Sequence, residues 1–240
     1  MKVVALLAKR YNQKGRVIVL PYTTDEPISL IGEMAGICYG TDTTDPVKNY
    51  KRGLDCIKSN HGRALEFVQI YMTIDGHSAR LLREFGRHTG GSPTYLQAST
   101  RYIDYTNFQY ITPPTIENNE TAKQIYVDTM NTISIAAQRL NEQGIPKEDI
   151  GMIYPLAMES KEVYRTNLRG LIDMAKVRKC TRAYWEYRDL FKEIEEALAI
   201  YSHEWEILVK TMGIFKAKCE ILGYCEEKFG CGRYPKKEEE

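Results

Sequence analysis

The sequence predicts an α+β fold, in which a small antiparallel sheet packs with long helices and a helical lobe is added. Three observations predict it. Residues 67–75 alternate, with Val68, Ile70, Met72 and Ile74 on one side and Gln69, Tyr71 and Thr73 on the other, which is the period of a strand with one buried face. Residues 120–143 and 166–212 carry apolar positions at helical spacing over long runs. Strand and helix patterns do not alternate regularly, as they would in a parallel sheet.

In chain order, Val3–Leu7 and Arg16–Leu20 are short β-prone runs. Between Glu26 and Tyr39, Ile28, Ile31, Met34, Ala35 and Cys38 mark one helix face. A second helix starts after Asp45-Pro46, with Asp45 as cap and Pro46 at the first helical position, and runs to about Ser59. After the 67–75 strand, Gly76 is expected to turn the chain into a helix over 77–88, with Leu81, Leu82 and Phe85 inward. The aromatic-rich stretch Tyr102–Tyr110 reads as a strand ended by Pro113-Pro114. The helix over 120–143 stops at Gly144 and Pro146. A short extended piece near 158–164 leads to helices over 166–179 and 181–212. Residues 1–225 are read as a single domain, and 226–240, ending Lys-Lys-Glu-Glu-Glu, as a flexible tail.

Composition narrows the function. The 240 residues are 43% hydrophobic and 27% charged, as in ordinary globular proteins. Thirty-three Lys and Arg against 32 Asp and Glu leave a net charge of +1, with no global pull toward nucleic acid or anionic membrane. The apolar run at the N-terminus is too short for a signal-peptide core, and no stretch is long enough to span a membrane, so a cytoplasmic protein is expected. Of six cysteines, Cys38, Cys56 and Cys180 read as reduced, buried residues. The even spacing of Cys219, Cys225 and Cys231 raises a metal knuckle. The absence of a Cys-x-x-Cys pair and of a nearby histidine argues against it, so no metal is expected.

The chemistry concentrates in residues 87–102, where two arginines, a histidine, hydroxyls and an amide surround Gly90-Gly91. The segment is too polar for a core and too poor in Lys and Glu for an ordinary solvated loop. It suits an anionic, planar, hydrogen-bonding ligand such as a nucleotide. A second segment, Asn167 to Arg178, places Arg169 and Asp173 four apart on a helix, with Arg178 roughly opposite Arg169 in azimuth. Tyr102, Tyr105, Phe108 and Tyr110 beside Arg101 also raise single-strand nucleic-acid binding, but the neutral charge and strand-like pattern favour ordinary packing.

These residues resemble the flavin-dependent thymidylate synthases. The matching pieces are Arg-Glu-Phe-Gly-Arg-His at 83–88, Gln-Ala-Ser-Thr-Arg-Tyr at 97–102, Asn-Leu-Arg-Gly-Leu at 167–171, Val177-Arg178, and Arg-Ala-Tyr-Trp-Glu-Tyr-Arg at 182–188, with Cys38-Tyr39 and Leu65-Glu66 also in register. The resemblance spans roughly residues 25–190. It implies reductive methylation of dUMP at C5 to dTMP, with FAD reduced by NADPH, methylenetetrahydrofolate supplying the carbon, and no cysteine attacking the ring. It also implies a homotetramer with active sites shared between subunits, and no nucleic-acid or membrane partner.

Carried over by position, Glu84, Arg87, Gln97, Ser99, Thr100, Arg101 and Arg178 look like nucleotide contacts, with Arg178 catalytic. His88, Asn167, Arg169 and Asp173 look like flavin contacts. Four departures stand out. Thr89 replaces the third residue of an Arg-His-Arg triplet, and nine residues rather than seven separate it from Ser99. Arg63 and Phe67 stand where the family has a flavin-contacting Ser and a His, and Gly151 stands where it has a phosphate arginine. Arg63 and Thr89 are therefore the candidate flavin contacts specific to this chain. These changes fall at the phosphate ends of both ligands and spare the pyrimidine end. Methylation of another pyrimidine nucleotide, or nucleotide binding without catalysis, are the alternatives.

Overall fold

The computed structural model describes residues 16–237, and the expected run Val3–Leu7 lies outside them. The elements in chain order are β1 (Val17–Val19), α1 (Pro27–Cys38), α2 (Pro46–Lys58), β2 (Gln69–Ser78), α3 (Ala79–Phe85), β3 (Thr94–Gln97), α4 (Pro114–Glu117), α5 (Glu120–Glu142), α6 (Lys147–Ile150), β4 (Glu159–Asn167), α7 (Leu168–Arg178), α8 (Trp185–Tyr201), α9 (His203–Glu206) and α10 (Lys218–Leu222). The four strands form one antiparallel sheet in the order β1-β2-β4-β3, which makes the fold α+β as the alternation and the long helical runs predict. The chain divides into two compact units. One comprises residues up to Thr73, His88–Tyr95 and everything from Val163; the other comprises Ile74–Arg87 and Leu96–Glu162.

In the first unit the core comprises Val68 just before β2, Ile70 and Met72 on its buried face, Ile28 and Ile31 of α1, Leu168, Leu171 and Met174 of α7, and Leu190, Phe191, Ile194 and Leu198 of α8, all without solvent exposure. Asp45 caps α2, accepting from the Val47 and Lys48 amides, so the Asp-Pro start signal works as expected. α1 is capped from far away. The Glu204 carboxylate accepts from the amides of Ile28 and Ser29, at 2.6 and 3.0 Å, and from the Ser29 hydroxyl at 2.5 Å. An acidic group suits that helix end, where unpaired N–H groups point outward.

That contact explains why the expected continuous helix over 181–212 is broken. Ser202 leaves the helical region, and its hydroxyl accepts from the Trp205 amide to start α9. The break turns Glu204 and Trp205 back onto the chain near α1, where the indole Nε1 donates to the Thr24 carbonyl at 2.8 Å.

Two further expectations are corrected. β2 does not end at Gly76: it passes through that residue, at φ +66°, to Ser78, whose hydroxyl then caps α3. Glycine supplies the left-handed conformation without interrupting the ladder. Residues 102–110 are not a strand; they run as turns, with only Tyr110 bridging to Met158. The Asp104 carboxylate accepts from the Thr106 amide, a local turn that competes with sheet pairing. The rings serve packing instead. In the second unit Phe108, Met130 and Met158 form a core bordered by Tyr105, Tyr110, Tyr126 and Tyr154. Phe108 meets Tyr154 edge-on at 5.6 Å, and Tyr110 meets Tyr126 at 5.8 Å.

Glu162, on β4, is buried with neither carboxylate oxygen partnered, and burial pushes its pKa from 4.5 to about 7. Between those values the folded chain keeps a proton that the unfolded chain has released. Stability is therefore full below pH 4.5 and declines as the pH rises toward 7. Glu162→Gln is expected to raise the melting temperature by a few degrees at pH 8 and to leave it nearly unchanged at pH 4, which thermal unfolding at the two pH values checks.

Candidate active site

The sequence-predicted site residues sort cleanly by unit. Arg63, His88, Thr89, Asn167, Arg169, Asp173 and Arg178 belong to the first; Glu84, Arg87, Gln97, Ser99, Thr100 and Arg101 belong to the second. All the expected flavin contacts thus share one body, together with the proposed catalytic arginine.

In the first unit the centre is the start of α7. Asn167 caps it, its Oδ1 accepting from the Gly170 amide at 2.9 Å. The turn at Gly90-Gly91 lies directly on that first helical turn. A Cβ on Gly170 would come within 2.5 Å of the Gly90 carbonyl oxygen, and one on Gly91 within 2.8 Å of Asn167 Oδ1. Arg165 secures the same loop, donating to the Ser92 carbonyl at 2.9 Å and to the Thr94 hydroxyl at 3.1 Å. The two-residue insertion is therefore built into the site rather than looped out of it. Gly170→Ala is expected to push this turn away and lower FAD affinity at least tenfold, about 1.4 kcal/mol, as flavin fluorescence titration would measure.

Along α7 the charged side chains form a chain of contacts. Arg169 pairs with Glu66 at 3.4 Å and stands 4.0 Å from Asp173, which takes Lys176 at 2.7 Å. Gly62 makes room for Arg169: a Cβ there would lie 2.6 Å from its guanidinium. Arg63 and Thr89 are exposed. His88 is half-buried, and burial first, then the nearby Arg178 charge, hold its pKa below the usual histidine value, with Asp173 opposing. It is a neutral imidazole at pH 7, with one ring nitrogen free to accept and the other to donate. Arg178 ends the helix. Its guanidinium lies over the Tyr187 ring at 4.5 Å, and its Nε is buried with no hydrogen-bond partner. A buried donor left open costs free energy, so it marks a place where a ligand acceptor is wanted.

In the second unit Glu84 and Arg87 stand 3.8 Å apart at the end of α3. Gln97 closes β3, and Ser99, Thr100 and Arg101 form the turn that follows. The Ser99 hydroxyl accepts from the Arg101 amide, and the Arg101 Nε donates to Glu148 at 2.9 Å. Gly151 explains how the missing arginine is accommodated. A Cβ there would lie 3.0 Å from the Thr100 hydroxyl, so the Ser99–Arg101 turn closes on the space that a side chain at 151 needs.

Glu66, Lys176, Glu148 and Tyr187 hold the expected residues in place. Glu66 and Tyr187 lie in the motifs matched in the sequence and Lys176 stands three positions from Asp173, but the sequence assigns none of the four a role, and Glu148 carries no local signal.

The family model described as thymidylate synthase complementing protein matches residues 19–200. The chain belongs to the flavin-dependent thymidylate synthase family. The flavin-dependent thymidylate synthase of Nitratidesulfovibrio vulgaris is 31% identical over 242 residues, covering 92% of this chain and 95% of that protein. That of Clostridium tetani is 27% identical over 202 residues, covering 75% and 80% respectively. Among solved structures, the flavin-dependent thymidylate synthase ThyX from Helicobacter pylori, complexed with FAD and dUMP, superposes with a TM-score of 0.63 at 19% identity, covering 80% of this chain and 98% of that one. At that identity the likeness establishes the shared fold.

Proposed function

We propose that the protein is a flavin-dependent thymidylate synthase, converting dUMP, methylenetetrahydrofolate and NADPH into dTMP, tetrahydrofolate and NADP. Uracil C5 is a weak nucleophile. It attacks carbon only if the negative charge that develops toward N3 and O4 is stabilised. The observation that carries the reading is Arg178: a positive side chain, half-buried, braced on Tyr187, with an Nε–H that has no partner among the described residues. Such a fixed donor acts on the transition state without reorganising. Glu84, Arg87, Gln97, Ser99, Thr100 and Arg101 would hold the rest of the nucleotide, the arginines giving paired hydrogen bonds to its phosphate.

The donor set around α7 fits FAD. Arg63 and Arg169 are exposed cations suited to a pyrophosphate, Asp173 and Asn167 offer oxygen acceptors, and neutral His88 can accept or donate toward ring atoms. Bound FAD would carry the two electrons that turn a transferred methylene into a methyl group. The chain's own residues would orient the flavin and hold the pyrimidine.

A homotetramer sharing its sites between subunits is part of the proposal. The second unit exposes Leu96, Tyr102, Ile103, Met152 and Leu156, an apolar surface that assembly would cover. A cytoplasmic location goes with the soluble nucleotide substrate; among the described residues no helix is long and apolar enough to cross a membrane.

A second reading, another pyrimidine nucleotide as substrate, is favoured by Gly151 alone, which supplies no cation for a phosphate and where a Cβ would already press on the Thr100 side chain at 3.0 Å. Tritium release from C5-labelled dUMP, with FAD, NADPH and methylenetetrahydrofolate, tests the main reading. Release supports it. Bound FAD without release from dUMP, but with release from another labelled uracil nucleotide, would shift the assignment to that nucleotide. Bound nucleotide with no FAD would leave a non-catalytic homologue.

A further inference from the structure

Four of the six cysteines line one cavity just beyond the end of α7. Cys180 follows α7, Cys219 lies on α10, and Cys225 and Cys231 lie in the chain beyond it; all four line one cavity of about 20 Å³, with Thr181, Arg182, Gly230 and Arg233. That volume is the scale of a single small occupant. All four are free thiols. The sequence showed three evenly spaced cysteines, and the fold adds the fourth from 39 positions upstream of the first of them.

We propose that Cys180, Cys219, Cys225 and Cys231 form a tetrathiolate site for a zinc-class divalent cation that staples the C-terminal segment to the end of α7. The segment itself argues for a staple. No residue from 218 to 237 is buried, so this stretch has no hydrophobic core of its own. It is nevertheless folded back, with Cys225 N–H donating to the Pro235 carbonyl at 2.7 Å, Cys225 bridged to Lys236, and sharp turns at Gly223 (φ +78°) and Gly232 (φ +83°). Segments this short hold a fixed path when a metal or disulfide supplies what a core cannot.

Four thiols around one cavity match the coordination number of structural zinc. Binding converts four thiols and one dication into a complex of net charge −2 with release of four protons. Arg182 and Arg233 line the cavity, but Arg182 is paired with Glu227, which also lines it, at 3.0 Å, and Arg233 is paired with Glu220. Among the described residues no group of three such side chains stands at metal-binding separation, and the candidate site is empty.

The test uses the full chain purified under reducing conditions. Elemental analysis is expected to find about one zinc per chain. After chelation, added cobalt(II) should give the thiolate charge-transfer and tetrahedral d–d absorption of a sulfur-rich site. Cys219→Ser and Cys231→Ser should lower metal content and cobalt absorption several-fold, while Cys38→Ser and Cys56→Ser leave both unchanged. If a tail variant fails to fold, the cobalt spectrum of the unaltered chain still decides. Substoichiometric zinc together with no cobalt–thiolate absorption overturns the proposal, as does a mass lower by two or four hydrogens in the oxidised chain with no metal, which would make the staple a disulfide. Flavin content and dUMP turnover are read separately and do not bear on the outcome.

Discussion

Arg178→Ala is expected to abolish dUMP-dependent oxidation of reduced flavin, a loss of about 10²–10³-fold in turnover, the cost of removing one preorganised donor from a developing oxyanion. Flavin reduction by NADPH, measured without dUMP, should be nearly unchanged, because the residues assigned to FAD are others along α7. Arg178→Lys should recover little. A lysine keeps the charge but loses the planar group that stacks on Tyr187 at 4.5 Å and directs Nε. Stopped-flow absorbance of the flavin separates the two half-reactions. Unchanged oxidation in Arg178→Ala would remove the residue from the mechanism; equal losses in both half-reactions would make it a flavin-binding residue.

Gly53→Ala is expected to lower stability by about 3 kcal/mol, at the upper end for overpacking, and to lower the melting temperature by roughly 5–10 °C. The sign is not obvious. Alanine inside a helix ordinarily gains about 1 kcal/mol over glycine. Here α1 and α2 touch backbone to backbone: a Cβ on Gly53 would fall 1.9 Å from the Ile28 carbonyl oxygen, and one on Gly32 would fall 1.8 Å from that of Asn49. Neither contact is a flexible tip, so the helices must move apart. Arg52, which donates to the Gly32 carbonyl at 2.9 Å, would lose that bond as they separate. Gly36→Ala is the internal control. Its Cβ meets side chains rather than backbone, the Arg52 guanidinium and the Thr43 methyl, so it should cost less than Gly53→Ala, chiefly the Arg52 hydrogen bonds to Gly32 and Asn49. Calorimetry on Gly53→Ala and Gly36→Ala checks the order; a neutral Gly53→Ala would refute the close packing.

Local signals were legible and distant ones were not. The Asp45-Pro46 start, the β2 alternation and the long α5 helix each rest on neighbours within a few positions, and each stands as the sequence predicts. The break at Ser202 could not be read, because the demand for it comes from the N-terminus of α1, 175 positions away. The 102–110 stretch misled because aromatic residues favour strands on average, whereas here a local Asp104 turn bends the backbone and the rings fill a core against α5. The candidate site was read mainly through its own motifs. Its supports, Glu66 under Arg169 and Glu148 under Arg101, lie 103 and 47 positions from their partners and leave no periodic trace. The effect of Gly151 likewise appears only once Thr100 is seen against it.

The central claim is carbon transfer to a uracil ring under the control of Arg178, and one measurement addresses it directly. The unaltered protein and Arg178→Ala, both loaded with FAD, are given dUMP, NADPH and methylenetetrahydrofolate labelled in the methylene carbon. Label recovered in dTMP with the unaltered protein, and essentially none with Arg178→Ala, is the expected result. Label in dTMP from both proteins alike, or from neither although both hold FAD and bind dUMP, would contradict it.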